Sequence, residues 1–353
     1  MSAVPSSSDV VTAHNSVPTN APAPADSSPA GPPGGTPSIL DRIPGFARPT
    51  GRFVTGWAIA MLVSNIGIVA TGGAVRLTKS GLGCPTWPRC TAESVVPHAE
   101  LGIHGVIEFG NRMLTWVLTV IAIATVVAIW RRRPVERFNR RLSVLLGLGI
   151  PFQGVIGGIT VLTDLNPWVV ALHFLLSMAL VSGAAWLVYR LRYPRGTADT
   201  TGSAGLVARL GRDLSWLIYV ATWAATYLGT VVTGSGPHAG DEDAPRNGLD
   251  PANATQLHAD AVFVLLGATV ALVLGARAAK LGQYRTSVMF LGLLLLQGLI
   301  GAIQYATDLP IALVIAHMTG SALLVAGATW LVISFSRTND DSAAENGAEH
   351  AER

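Results

Sequence analysis

Four histidines lie inside apolar runs of this chain: His104, His173, His258 and His317. An imidazole is costly to place in hydrocarbon, so an ionisable side chain in a spanning segment is a functional candidate by default. Two of the four close near-copies of one stretch. "QGVIGGITVLTDLNPWVVALH" runs from Gln153 to His173 and "QGLIGAIQYATDLPIALVIAH" from Gln297 to His317, with 10 of 21 positions identical. A third, His104, opens "HGVIEFGNR", where offsets of four and three put His104, Glu108 and Asn111 or Arg112 on one helical face. Measured from the repeat, 42 residues separate Asn111 from Gln153 and 39 separate His258 from Gln297. Asn111 thus falls nearest His258, and the first copy has an acid where the second has a histidine. One half then holds a fixed cofactor while the other performs chemistry, with Glu108 as the catalytic candidate. The competing reading makes Glu108 a structural partner of Arg112.

The elements that position these residues are membrane helices. Half of the residues are hydrophobic and only 13% are charged, against the ~25% of a soluble domain. Eight apolar segments, near 53–73, 101–130, 142–162, 167–190, 213–233, 254–276, 286–306 and 310–335, each approach the ~20 residues that a helix needs to cross a bilayer. Lipid offers no partners to the backbone, so runs of this length must be helical. The expected fold is all-α: eight transmembrane helices as two parallel, pseudo-symmetric four-helix bundles, 46–190 and 213–335, joined by a cytoplasmic linker at 191–212. Residues 1–45, rich in Ser, Pro, Ala and Gly, and residues 336–353 read as disordered tails. The first tail has no apolar h-region of a secretory signal.

Sidedness follows from Lys and Arg. Of 24 such residues, 19 fall in the tails and the loops after the second, fourth and sixth spans. The opposite side has Arg76, Lys79, Arg89 and Arg246, and Arg112 lies within a span. The positive-inside rule then puts both termini in the cytoplasm of a cell-membrane protein. The basic residues are dispersed at helix ends, which gives nucleic-acid binding no support. All four histidines fall near the outer ends of the even-numbered spans. Facing helices of a bundle that each supply a neutral imidazole suit haem iron, with one histidine on each face of the porphyrin. Span 6 with span 8 gives His258 and His317; span 4 gives His173, whose partner comes from span 2. Zinc or copper is disfavoured, because no cysteine or carboxylate joins the histidines at ligand spacing. Gly154, Gly157, Gly158, Gly298 and Gly301 read as small residues at close helix contacts, with Gln153 and Gln297 bonding across them. Asp164 and Asp308 read as capping or loop residues before a helix start.

The stretches "TGGAVRLTKSGLGCPTWPRC" (71–90) and "IEFGNR" (107–112), with the paired "QGxIGxIxxxTDL…H" segments, resemble the haem A synthase family over nearly all of 50–335. The pair Cys84 and Cys90 matches a subset of it, of actinobacterial type, with two cysteines in the first outer loop. The resemblance implies a membrane oxidoreductase that converts the C8 methyl of haem O to a formyl group by successive hydroxylations, giving haem A for terminal oxidase assembly. It implies haem b on His258 and His317 in the C-terminal half, and haem O as substrate in the N-terminal half on His173. Glu108 becomes the acidic residue at the substrate edge, and Cys84 and Cys90 a disulfide. Arg76 and Lys79 are plausible partners of haem propionates, with Asn111 and Arg112 beside the substrate. Many members have histidine where this chain has Asn111, so either haem O is held by His173 alone or His104 replaces the missing ligand; His104 ranks first. Implied partners are the lipid bilayer, a membrane electron donor and the haem O synthase that makes the substrate. Two other classes stay open: a di-haem cytochrome b-type electron carrier, which predicts symmetric ligand sets, and a haem carrier or delivery protein.

Overall fold

The computed structural model describes residues 39–194, 206–238, 240–241 and 243–351. Most of the N-terminal tail, 1–38, and the centre of the linker, 195–205, lie outside the described residues. Eight α-helices follow in order, each long and apolar enough to cross a membrane: α1 Gly51–Leu77, α2 Gly102–Arg131, α3 Arg137–Leu162, α4 Pro167–Arg192, α5 Leu206–Ser235, α6 Pro251–Ala278, α7 Tyr284–Ala306 and α8 Ile311–Ala351. No strand occurs among the described residues. The chain is an all-helical, multi-pass membrane protein.

Helix starts follow local chemistry. Asn166 and Asp250 each cap a helix whose first residue is proline, accepting from the amides of Trp168 at 3.0 Å and Asn253 at 2.8 Å. Proline at the first helical position gives up an amide that has no helical partner there. Asp164 and Asp308, expected as caps or loop residues, sit in the turn between helices, in the left-handed region with the leucine that follows: φ is 50° and 56° at Asp164 and Leu165, 57° and 58° at Asp308 and Leu309. Leucine in that region costs ~1–2 kcal/mol. Both turns close with a main-chain bond back into the preceding helix, Leu165 to Thr160 and Leu309 to Gln304, each at 2.8 Å. The repeated Thr-Asp-Leu is therefore a repeated turn. It fixes where α4 and α8 begin, and so the depth of His173 and His317 one to two turns later.

Each helix of the first four packs on its chain neighbours, and α1 closes on α4; the second four repeat the pattern, with α5 closing on α8. One apolar core lies within the first ring around Met61, Leu118, Ile150 and Leu187. A second lies within the other ring around Ile218, Leu265, Leu294 and Leu331. The rings meet where α8 touches α1 and α4 and where α4 touches α5. That seam holds Val69, Met178, Ala322 and Val325, flanked by Phe174 and Trp223. It is pinned by Ser182, which bonds Thr329 at 2.8 Å and Tyr219 at 3.1 Å.

Two boundaries differ from expectation. The segment before α1 is not loose up to residue 45: a 3-10 turn spans Ile39–Asp41, Asp41 pairs with Arg131, and Phe46 is buried against Phe53 and Trp57. The backbone of α8 continues to Ala351, past the span end expected near 335.

Candidate functional site

In the second ring the imidazoles of His258 (α6) and His317 (α8) are neighbours, with centroids 6.5 Å apart and planes 74° from parallel. Metal–imidazole bonds of ~2.0 Å, with each ring centre ~1.1 Å behind its nitrogen, would set two axial imidazoles ~6.3 Å apart. The observed spacing therefore matches an ion held between them. His258 Nδ1 lies 2.9 Å from the Ala225 carbonyl. A carbonyl only accepts, so Nδ1 carries the proton and Nε2 keeps its lone pair for a metal. His317 Nδ1 lies 3.0 Å from the Gln297 amide nitrogen, which also donates to the His317 carbonyl at 2.7 Å. No group of three or more His, Cys, Asp or Glu side chains converges among the described residues. Two opposed imidazoles fit an ion whose remaining ligands come with its own macrocycle, as in haem, better than a bare zinc ion wanting four protein donors.

Glycine makes this arrangement possible. A Cβ on Gly229 (α5) would stand 3.3 Å from His258 Cε1, and one on Gly301 (α7) 3.0 Å from His317 Cε1. Each histidine thus lays its ring edge on a neighbouring helix at a glycine, with its hydrogen-bond partner one turn earlier on that helix. Gly157 (α3) does the same for His173 in the first ring, at 3.4 Å. The expectation that these glycines serve close helix contact is corrected: Gly157 and Gly301 face imidazoles, Gly158 faces the ring of Trp87, and nothing lies within 4 Å of a Cβ built on Gly154 or Gly298.

The first ring is built differently opposite His173. Gln153 donates to the His173 carbonyl at 3.1 Å and to Ser177 Oγ at 2.7 Å. Asn111, at the place of His258, bonds Thr71 Oγ1 at 2.8 Å. The faint echo between 68–76 and 230–238 puts Gly67 in register with Gly229, and the space beside Gly67 is open. His104, expected as the replacement ligand, is not brought against His173. It lies in the outermost turn of α2, exposed, with Nδ1 2.9 Å from Ser80 Oγ, and no ring contact joins it to His173 among the described residues. The reason is register: two turns above Asn111, α2 has already emerged beside the outer loop.

Glu108 is bonded to that loop. Its carboxylate is buried; Oε2 accepts from the Cys84 amide at 2.5 Å, and Oε1 accepts from Arg112 Nη2 at 2.5 Å and Nε at 3.1 Å. Arg112 also donates to the carbonyls of Cys84, Thr86 and Arg89. Glu108 and Arg112 together clamp the segment closed by the disulfide Cys84–Cys90, with Cα atoms 4.4 Å apart and both residues fully buried. Gly83 permits the clamp, because a Cβ there would collide with the carbonyl of His104. From the same segment Trp87 lies on Gly158.

Arg76, expected beside haem propionates, donates Nε to the His238 carbonyl at 2.6 Å and Nη2 to the Thr233 carbonyl at 3.2 Å. It staples α1 to the end of α5, and Gly81 N–H to Gly240 O at 3.0 Å joins the same two loops. Lys79 is exposed in a left-handed turn just past α1. Sequence reasoning missed Thr71, Gly67, Gly229 and Ala225. The first three stand in or beside the weak echo of the opening helices, whereas a main-chain acceptor such as the Ala225 carbonyl leaves no residue signature.

A protein named heme A synthase from Rhizorhabdus wittichii is 26% identical over 341 residues, covering 83% of this chain and 96% of that protein. Another so named, from Halalkalibacterium halodurans, is 28% identical over 282 residues, covering 77% and 90%. A third, from Bacillus pumilus, is 31% identical over 171 residues, covering 47% and 54%. The family described as COX15-CtaA, cytochrome oxidase assembly protein, matches residues 55–105 and 100–246, more than half of the sequence, and the chain belongs to that family.

Proposed function

We propose that this protein is a haem A synthase: it oxidises the C8 methyl of haem O to a formyl group by successive hydroxylations, giving haem A for terminal oxidase assembly. The observation that carries the reading is the facing pair His258 and His317 at a spacing suited to haem iron, in a chain whose relatives bear that name. When bound there, haem b supplies one-electron redox chemistry that no side chain of this chain possesses. His258 and His317 hold it in the C-terminal half, 213–335.

The N-terminal half, 46–190, receives haem O as substrate. His173 would hold its iron, and Asn111, tied to Thr71, offers no second imidazole there. Glu108 works here as a positioning residue. With Arg112 it holds the disulfide loop and Trp87 against α3, which closes the outer end of the substrate half against water. Arg76, bonded to the other half, keeps the two sites in fixed relation. Haem O arrives through the bilayer or from the haem O synthase that makes it, and a membrane electron donor reduces the second half. The basic loops after α2, α4 and α6 support a cytoplasmic position for both termini, with the two sites near the outer face.

A symmetric di-haem carrier is disfavoured by the substitution of Asn111 for an imidazole. Haems extracted from membranes with and without the protein test the proposal. Haem A appearing at the expense of haem O supports it; unchanged haem O with the protein present and folded excludes it.

A further inference from the structure

Six buried side-chain nitrogen and oxygen atoms lack a hydrogen-bond partner among the described residues, and three of them stand at equivalent points of the two repeats: Gln153 Oε1, His173 Nδ1 and Gln297 Oε1. Native proteins rarely leave such atoms orphaned, so each needs a reason. We infer that Gln297 is a positioning residue that sets the tautomer of His317 and thereby the electron richness of the iron it binds, and that Gln153 holds the same post beside His173. The inference rests on the haem reading above.

A neutral imidazole has one N–H. To bind iron through Nε2 it must carry its proton on Nδ1, and an acceptor there fixes ring orientation and raises ligand basicity. His258 has a permanent acceptor in the Ala225 carbonyl. His317 has instead a side-chain amide, which presents either an acceptor or a donor, two ends of nearly equal shape. The Gln297 nitrogen faces Nδ1 at 3.0 Å and its oxygen is left over. That oxygen lies against Gly320, where any Cβ would collide with it. A half-turn of the amide exchanges its ends and delivers the spare acceptor to Nδ1–H. The exchanged oxygen would stand where the nitrogen now lies, 2.7 Å from the His317 carbonyl, so the glutamine side chain must also swing away from that carbonyl, which keeps its place in the helical ladder.

In the first ring the Gln153 nitrogen is held by Ser177, and acceptor and imidazole nitrogen are both spare. The two glutamines therefore stand on the same helix as the glycine under each ring, one turn earlier, and explain why the repeat is written from Gln to His.

Reduction potential reads this role where mere packing would not move it. The purified, haem-loaded protein is compared with Gln297→Glu, which always offers an acceptor oxygen, and Gln297→Met, which offers none of comparable strength. A stronger acceptor on Nδ1–H makes the imidazole a better donor and stabilises ferric iron. The midpoint potential is expected to fall in Gln297→Glu and to rise in Gln297→Met, with haem content and the low-spin optical spectrum retained. Unchanged potentials in both variants overturn the inference. If Gln297→Met fails to hold haem, Gln297→Glu decides alone, and a potential that stays or rises is the contrary result. A wild-type protein with no low-spin haem at His258 and His317 overturns the functional reading itself, a failure visible before any variant is made.

Discussion

His258 rests on Gly229 with its Nδ1 on a main-chain carbonyl, whereas Asn111, at the matching place in the other ring, is tied to Thr71 and leaves the space by Gly67 empty. One bundle presents two imidazoles to each other; the other presents one imidazole and an amide. The disulfide loop, clamped by Glu108 and Arg112, sits on the second kind only. A resident cofactor needs two ligands and no door. A substrate that must arrive, react and leave is better served by one ligand and a cover.

That contrast is breakable, most severely at His173. The substitution His173→Ala should cut haem A formation by more than the ~10–100-fold that loss of an outer-shell partner costs, while haem on the C-terminal half stays at wild-type content. Haem extraction beside an optical spectrum separates the two. Next comes Glu108→Gln, which leaves the Arg112 guanidinium, 18% exposed, without its carboxylate; breaking such a buried pair costs about 3–5 kcal/mol. The loop should come loose, read as faster proteolysis or thiol labelling under reductant around Cys84. The double change Glu108→Gln with Arg112→Met should lose less than the single one, since no charge is stranded.

Asn111→His sharpens the comparison from the other side. A ring at this position has the open space of Gly67 to enter, so the first half should hold haem O roughly 10-fold more tightly, as one more metal–ligand bond of the second-half kind, and release less haem A. Binding and turnover moving in the same direction would contradict the division of labour. The smallest effects are expected at the glycines. Gly301→Ala puts a methyl 3.0 Å from His317 and should cost about 1–3 kcal/mol by overpacking. At Gly157 the gap is 3.4 Å, and alanine should be nearly neutral, helped by its better helix propensity of ~1 kcal/mol. Thermal unfolding of the two variants compares them.

The eight helices and the four histidines were legible because both depend on composition and spacing: twenty apolar residues must be a helix, and an imidazole among them is conspicuous. The disulfide came through family resemblance. The sequence did not reveal what the repeated Gln and Gly are for, because a glycine under a ring and a glycine between helices look alike in one dimension. Glu108 was legible only in part, for a related reason. Its partners are the amide of Cys84 and the side chain of Arg112, and only the second is visible as a residue type. His104 looked equivalent to the other three by its place near a span's start, but it is the third residue of α2, whereas His173, His258 and His317 stand seventh or eighth in their helices, so it lies nearer the outer end.

Electron paramagnetic resonance of the oxidised, purified protein tests the central claim most directly. Two imidazoles with nearly perpendicular planes, 74° apart, should give a low-spin, strongly anisotropic ferric signal that disappears in His258→Ala and in His317→Ala and survives in His173→Ala. A low-spin signal that persists without His258 or His317, or that vanishes with His173 alone, would contradict the assignment of the resident haem to the C-terminal bundle.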